Sequence, residues 1–271
     1  MGIVGIYLFV IGCCVGSFIN VICFRLPLGK SIIYPSSRCA KCNYKLKWFD
    51  NIPLISWILL GAKCRSCKKN ISITYPLIEL ITGLIFCANF FAYPSIYNQL
   101  PKLLIIFSGI IFSAILIVLT ILDCKYFWLP KKITFGGLTL GLIFSLIVDL
   151  FHNFSHFSYF INSIVAAFIG FIIFYLLSLL GLKIYKKPVM GDGDAKLSAL
   201  LGSWLGIQGL FITIWMAFFS ASIFVIFGLI LKKIKRKQKI PFGAFLSISG
   251  LIVWQFGDKV FLRFIFSTFN W

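Results

Sequence analysis

Long apolar stretches, separated by shorter polar ones, make up most of this chain of 271 residues. Most of them have about the 20 residues that a helix needs to cross a bilayer. The sixth stretch is short, and it either forms a half-span or joins the seventh. The pattern predicts an all-α polytopic membrane protein of about eight transmembrane helices, with seven as the alternative. The apolar stretches are residues 2–22, 76–93, 102–122, 133–150, 158–182, 197–207, 209–231 and 242–258.

One long polar segment interrupts this pattern between the first and second apolar stretches. It divides the chain into a first transmembrane helix over residues 1–23, a small cytoplasmic domain over 24–75 and a larger transmembrane domain over 76–271. We see no internal repeat that would divide the chain further.

The charge distribution predicts the orientation. Only 12% of the residues are charged, whereas soluble domains carry about 25%. The net charge is +19, and 23 of the 26 basic residues lie in four alternate polar segments. Under the positive-inside rule these segments are cytoplasmic and the N-terminus is outside. Anionic lipid headgroups are therefore the expected partners of the excess charge. Nucleic acid is not, because no basic soluble domain with interleaved aromatic residues is present.

Four cysteines in the polar segment have the spacing of metal ligands. They form two CxxC pairs separated by 21 residues, and this pattern is typical of a four-thiolate zinc site. A cytoplasmic location keeps thiols reduced, and a bound ion would stabilise a short domain with a small core. The alternatives are four free thiols or two redox pairs. The predicted ligands are Cys39, Cys42, Cys64 and Cys67.

Two of the seven acidic residues lie where long apolar stretches end or begin. Asp123 closes the third stretch, and Asp194 belongs to the sequence MGDGDAKL. Gly191 and Gly193 allow a tight turn there, after which Asp194 would lie near the N-cap of a helix. Acids at the edge of the hydrocarbon are costly and tend to be functional. Both are predicted at the same inner membrane face.

Two neighbouring carboxylates in a site of low dielectric constant can share one proton. One can then activate water while the other protonates a substrate carbonyl, which permits peptide hydrolysis. The alternative is that Asp194 only caps a helix and Asp123 is an ordinary interfacial acid. Asp192 is an ambiguous neighbour of Asp194. His-based catalysis is disfavoured because both histidines, His152 and His156, fall in a predicted outer loop.

Several motifs occur in order along the chain and carry a resemblance to a known family. They are GSFINVICFRLP at 16–27, the two CxxC pairs, YPLIELITG at 75–83, LDCKYFWLP at 122–130, MGDGDAKLSALLGSWLG at 190–206 and IPFGAFLSISG at 240–250. On these residues the chain resembles the bacterial prepilin peptidases, the type IV leader peptidase family of GxGD membrane aspartic proteases. The resemblance makes residues 76–271 the expected peptidase domain.

The resemblance implies two activities in the bacterial inner membrane, with the active site facing the cytoplasm. The first is cleavage of the leader of type IV prepilin or pseudopilin precursors after a glycine, with Asp123 and Asp194 as catalytic residues. The second is N-methylation of the new terminal residue, with S-adenosylmethionine as the methyl donor. Gly191, Gly193 and Lys196 complete the GxGDxK loop. The four cysteines match the metal ligands of the domain that accompanies methyl transfer.

Glu79 is a third acid of interest, just inside the second apolar stretch. We predict that it takes part in the methyl-acceptor site, where an acid could hold the substrate's terminal ammonium. The alternative is a buried acid bonded to a neighbouring helix or lysine.

Three other classes of protein compete with the peptidase interpretation. A transporter or channel would use the acids as a proton or cation relay, but such acids lie near mid-membrane on broken helices. A protease that cuts within helices would have Tyr before its first aspartate, whereas Leu122 stands here. A zinc-bearing membrane scaffold would tolerate the loss of both aspartates.

Overall fold

The computed structural model describes residues 2–39, 41–91, 100–151, 158–186, 190–235 and 238–257. The described residues are almost entirely helical, and their only β-structure is two isolated antiparallel bridges. The helices are α1 (Gly2–Arg25), α2 (Ile55–Leu59), α3 (Thr74–Phe91), α4 (Lys102–Tyr126), α5 (Lys131–Phe151), α6 (Ser158–Tyr185), α7 (Asp192–Ile230) and α8 (Phe242–Phe256).

Six of these helices are long and apolar enough to cross a membrane. Helix α7 has 39 residues, but its backbone leaves the helical conformation at Gly206, where φ is 67° and ψ is −175°. An unbroken helix of that length would measure about 58 Å, far more than the bilayer requires. With α7 counted as two segments and the shorter α8 included, the described residues contain eight apolar helical segments. The predicted fold class is confirmed.

The break in α7 has a local cause. The left-handed φ of Gly206 is one that residues with a side chain rarely adopt. The side chain of Asn162 in α6 lies against it, and its Oδ1 accepts a hydrogen bond from the backbone N–H of Ile207 at 3.3 Å. This bond satisfies a donor at the start of the second segment of α7.

The chain forms two compact units, residues Met1–Phe91 and Ala92–Trp271. In the first unit, α1 packs closely on α3 through small residues. A β-carbon added to Gly12 would lie 2.7 Å from the Cα of Gly83, and one added to Gly16 would lie 2.7 Å from the Cα of Glu79. Such contacts let two backbones approach closely, as is common where helices associate in lipid.

The segment between α1 and α3 contains two turns of the same kind. An isolated bridge pairs Arg38 with Lys45, and another pairs Lys63 with Asn70. Each bridge closes a turn that contains one CxxC pair. The helix α2 lies between these turns in sequence.

In the second unit, four aromatic rings from four helices pack together. Trp204 of α7 stacks on Phe112 and Phe144 and meets Trp254 edge-on. Its Nε1 donates a hydrogen bond to the carbonyl of Gly137 in α5 at 2.8 Å. The cluster fixes the first segment of α7, which begins at the candidate site, against α4, α5 and α8.

Candidate active site

Asp123 lies one turn before the end of α4, and its side chain is buried. The helix ends at Tyr126, and the left-handed backbone of the next residue, Phe127, directs its N–H to the carbonyl of Asp123 at 2.9 Å. The chain then passes through the buried Leu129 and Pro130 into α5. The C-terminal cap of α4 thus fixes the backbone that carries this acid.

Asp194 lies in the first turn of α7, with Gly191 as the N-cap residue. The backbone N–H of Gly191 donates to Oδ2 of Asp194 at 3.3 Å, and the N–H of Asp194 donates to the carbonyl of Gly191 at 3.1 Å. This reciprocal arrangement satisfies donors at the helix start. It engages one carboxylate oxygen of Asp194 and leaves Oδ1 directed elsewhere.

The start of α8 brings the two acids together. The backbone N–H of Ala244 donates to Oδ2 of Asp123 at 2.9 Å, and Gly243 also donates to this carboxylate. A β-carbon added to Gly243 would lie 2.9 Å from Oδ2 of Asp123 and 3.1 Å from Oδ1 of Asp194. Oδ2 of Asp123 and Oδ1 of Asp194 therefore both lie within 3.1 Å of the same point. The two carboxylates therefore face the same small space beside Gly243, as a carboxylate dyad would require.

Leu129 fills the space beside the dyad. A β-carbon on Gly243 would lie 3.0 Å from its Cδ1, and one on Gly193 would lie 3.0 Å from its Cβ. The two glycines therefore allow the first turns of α7 and α8 to close on one buried leucine. A side chain at either position would push a helix end away from the acids.

Three contributors to this site were not predicted as functional residues: Leu129, Gly243 and Ala244. The sequence IPFGAFLSISG entered only as a family motif, and nothing local in it indicates contact with an acid 121 residues away. The available signal was a glycine directly after the Pro-Phe pair at the start of an apolar stretch. Such a position is typical of a helix N-terminus with exposed N–H donors.

The other predicted residues of the loop lie around the dyad rather than in it. Asp192 is the first residue of α7 and is exposed, whereas Asp194 is half-buried. Lys196 lines a largely apolar cavity of about 270 Å³ between α5, α6 and α7, together with Thr134 and Phe135. Within the described part of the chain, no ion pair involves Lys196.

The four predicted metal ligands do converge. Their sulfur atoms all lie within 4.8 Å of one another. Sγ of Cys39 is 4.0 Å from that of Cys67, and Sγ of Cys42 is 3.9 Å from that of Cys64. Tetrahedral zinc with Zn–S bonds of about 2.3 Å would place its sulfurs about 3.8 Å apart. The donor set and its spacing fit a structural zinc ion.

The two CxxC turns have the same backbone construction. In the first, the N–H of Asn43 donates to the carbonyl of Cys39 at 2.9 Å, and in the second, Lys68 donates to Cys64 at 3.0 Å. Asn43 and Lys68 both have a positive φ. Backbone N–H groups of Lys41 and Cys42 lower the pKa of the Cys39 thiol to about 6. A thiolate is the form that binds a metal.

Glu79 is buried in the first unit, and its carboxylate is hydrogen-bonded. Oε2 accepts from the backbone N–H of Leu54 at 2.8 Å, and the Ser17 side chain also hydrogen-bonds to it. The bond to α1 is the kind of contact that the alternative interpretation of a helix-bonded acid expects. The methyl-acceptor role stays a prediction.

Comparisons with known proteins show the family of the chain. Residues 10–93 match the bacterial peptidase A24 N-terminal domain, and residues 110–226 match the type IV leader peptidase family. A prepilin leader peptidase/N-methyltransferase of Neisseria gonorrhoeae is 32% identical over 279 residues, which cover 93% of this chain and 90% of the relative. The chain belongs to the type IV leader peptidase family.

Other members of the type IV leader peptidase family with the same name are similarly close. The protein of Pseudomonas aeruginosa is 30% identical over 275 residues, covering 92% of this chain and 89% of its own length. That of Myxococcus xanthus is 36% identical over 202 residues, 74% of this chain but only 56% of its own. No solved structure matches the chain.

The two matched ranges separate the two groups of candidate residues. The range of the type IV leader peptidase family contains Asp123 and Asp194, and the N-terminal range contains Glu79 and the four cysteines. Gly243 and Ala244 lie beyond both ranges. The structure thus adds the start of α8 to the residues that the family comparison covers.

Proposed function

We propose that this protein cleaves the leader peptide of type IV prepilin or pseudopilin precursors and N-methylates the residue exposed by cleavage. The observation that carries the proposal is the convergence of Asp123 and Asp194 on Gly243 in a member of the type IV leader peptidase family. Relatives that align along most of the chain carry both activities in their names.

The cleavage step needs only the two carboxylates and a water molecule. One carboxylate removes a proton from water, and the water oxygen bonds to the scissile carbonyl carbon. The second, protonated carboxyl group donates its proton to the carbonyl oxygen. The tetrahedral intermediate then expels the amine, which takes up the proton that came from water, while a hydroxyl group of the intermediate returns a proton to the partner carboxylate. The glycine at the end of the leader keeps the new carboxyl group, and the next residue gains a free amine.

The backbone around the dyad orients these acids. Two N–H groups at the start of α8 hold Asp123, and the N–H of Gly191 holds Oδ2 of Asp194. The remaining oxygen, Oδ1 of Asp194, then faces the shared space. Pre-set orientation of this kind lowers the entropic cost of reaching the transition state.

Methyl transfer would use S-adenosylmethionine, which supplies an electrophilic methyl group to the new terminal amine. The cysteine segment supports this part of the proposal, because it matches the N-terminal domain of bacterial members. Cys39, Cys42, Cys64 and Cys67 would hold zinc in a structural role. Glu79 remains the proposed partner of the substrate's ammonium group, through the carboxylate oxygen that does not accept the hydrogen bond from Leu54.

The transporter or channel alternative has no comparable support. Its acids would lie in the middle of spans, whereas Asp123 and Asp194 lie at helix ends. The relatives are named as peptidases and methyltransferases.

We also propose that the N-terminus is outside and that the dyad faces the cytoplasm of a bacterial cell. The proposal rests on the 23 of 26 basic residues in alternate polar segments. Both acids lie beside such segments, at the end of α4 and the start of α7.

Mass spectrometry of a prepilin incubated with the purified protein tests both activities together. We expect cleavage after the leader glycine without S-adenosylmethionine, and an added methyl mass of about 14 Da on the mature fragment when the donor is present. An intact precursor under both conditions would contradict the proposal. Cleavage without methylation would remove the second activity alone.

A further inference from the structure

Helix α2 presents an apolar face outwards from the segment between α1 and α3. Ile55, Ile58 and Leu59 are 55%, 69% and 80% exposed. Their spacing of three and four residues places them on one side of the helix. We call these three side chains the anchor face. Soluble surfaces seldom expose neighbouring large apolar residues without a partner.

The opposite side of α2 is held by the protein. Nε1 of Trp57 donates to the carbonyl of Ile71 at 3.3 Å, shortly before α3 begins. The N–H of Ala62, just after α2, donates to the carbonyl of Trp57 at 2.9 Å. These bonds fix the rotation of α2, so that the anchor face points away from its own unit.

The depth of α2 follows from its contact with α3. The N–H of Leu54, the N-cap residue of α2, donates to Oε2 of Glu79 at 2.8 Å. Glu79 comes five residues after Thr74, the first residue of α3, which is about 7–8 Å along the helix axis. The apolar stretch of α3 begins at residue 76, so Glu79 lies about one turn inside the part of the helix that enters the hydrocarbon. Leu54 therefore lies deeper in the membrane than the point where α3 enters the hydrocarbon.

The contact with Glu79 also explains how a helix can begin at that depth. The first N–H groups of a helix have no partner within it, and little water is present to satisfy them in the acyl region. Leu54 has a positive φ of 61°, and its N–H is directed at the carboxylate. Glu79, itself bonded to Ser17, supplies the acceptor that water would supply at the surface.

The residues around α2 fit the boundary between headgroups and acyl chains. Lys47 and Lys63 are exposed on either side of it in sequence, and cations of this kind attract anionic headgroups. Trp48, in the 3₁₀ turn before α2, is 80% exposed. Tryptophan is enriched at both membrane interfaces.

From this geometry we propose that α2 is an interfacial anchor, with the anchor face buried among the acyl chains of the protein's own membrane. The occupant of the face is lipid, in the leaflet where α1 ends and α3 begins. The anchor ties the segment that carries the four cysteines to the membrane surface. Glu79 acts as a positioning residue for it.

The test places an environment-sensitive fluorescent amino acid at position 59 of the full-length protein in phosphatidylethanolamine and phosphatidylglycerol vesicles. The matched control carries it at position 45, an exposed lysine in the first CxxC turn. We expect lipids brominated on their acyl chains to quench the probe at 59 about threefold or more strongly than the control, with the opposite order for aqueous iodide. Equal iodide quenching at both positions would overturn the proposal. Protection from both quenchers, with cross-linking between two copies at position 59, would also overturn it and assign the face to a second chain.

Variants of Glu79 test whether its hydrogen bond to Leu54 sets the depth of α2 in the membrane. Glu79→Gln keeps an oxygen acceptor for the N–H of Leu54 and should preserve quenching by brominated lipid at position 59. Glu79→Leu removes the acceptor and should reduce that quenching to the level of the control position. Equal quenching in both variants would show that Glu79 does not hold α2 in the interface. In the unsubstituted protein, a photoreactive acyl lipid should label the peptide around α2 more than the first CxxC turn, and equal labelling would contradict the anchor.

Discussion

At the scale of the residue, Gly243 has the strongest constraint in the candidate site. A β-carbon at this position would lie 2.9 Å from Oδ2 of Asp123, 3.1 Å from Oδ1 of Asp194 and 3.0 Å from Cδ1 of Leu129. Two of these neighbours are the proposed catalytic carboxylates, so a side chain at position 243 should displace one or both of them.

Gly243→Ala should therefore lower kcat/KM for prepilin cleavage by about 10- to 100-fold, because small displacements of catalytic groups have effects of this size. Gly136→Ala is the matched control, since a β-carbon on Gly136 meets nothing within 4 Å. Rates measured by mass spectrometry of the leader fragment check both variants. A Gly243→Ala enzyme as active as the control would show that the contact at Gly243 does not matter for cleavage.

At the scale of the element, α7 is the helix whose local geometry the site depends on most. Its first segment starts at the dyad, and Gly206 ends that segment with a backbone conformation suited to glycine. Asn162 lies against Gly206, and a β-carbon there would come 2.7 Å from Nδ2 of Asn162. Strain in the backbone and steric overlap with α6 therefore act at the same position.

Gly206→Ala should destabilise the protein by about 1–3 kcal/mol, the usual range for a residue forced into a sparsely populated backbone region. Thermal unfolding in detergent micelles should show a lower Tm than the wild type. Gly136→Ala should be neutral or slightly stabilising in the same assay. An unchanged Tm for Gly206→Ala would mean that the break in α7 is absent or easily relocated.

The segment between α1 and α3 gives a second prediction at this scale. Its four sulfurs lie within 4.8 Å of one another, so the purified protein should contain about one zinc per chain by elemental analysis. Cys64→Ser removes a buried ligand and should lose most of the metal. Cys14→Ser, at an exposed cysteine outside the cluster, should keep it. Equal zinc content in the two variants would contradict a four-cysteine site.

At the scale of the whole molecule, hydropathy was sufficient to predict the number of apolar segments and their order. Even the division of residues 197–231 into two stretches corresponds to the break at Gly206. The sequence also predicted that Asp123 and Asp194 lie near each other, because each lies at the end of an apolar helix and both ends are predicted at the same membrane face. These features depend on local composition, which the sequence displays directly.

Other features depend on contacts between distant residues, and the sequence does not display these. The hydrogen bond from Ala244 to Asp123 joins residues 121 positions apart. Helix α2 has only five residues, too few for a periodic pattern to reveal its apolar face. The bond from Leu54 to Glu79, which joins residues 25 positions apart, was not predicted either.

Single substitutions test whether Asp123 and Asp194 act together to cleave the precursor. Asp123→Asn, Asp194→Asn and Asp192→Asn keep the size of each side chain, and Asp192, being exposed, serves as the control. Each purified protein is incubated with a prepilin, and the leader fragment is measured by mass spectrometry. We predict that the first two variants lose cleavage by a factor of about 1,000 or more while remaining folded, and that the third cleaves at the wild-type rate. Full processing by either Asp123→Asn or Asp194→Asn would contradict cleavage by the aspartate pair.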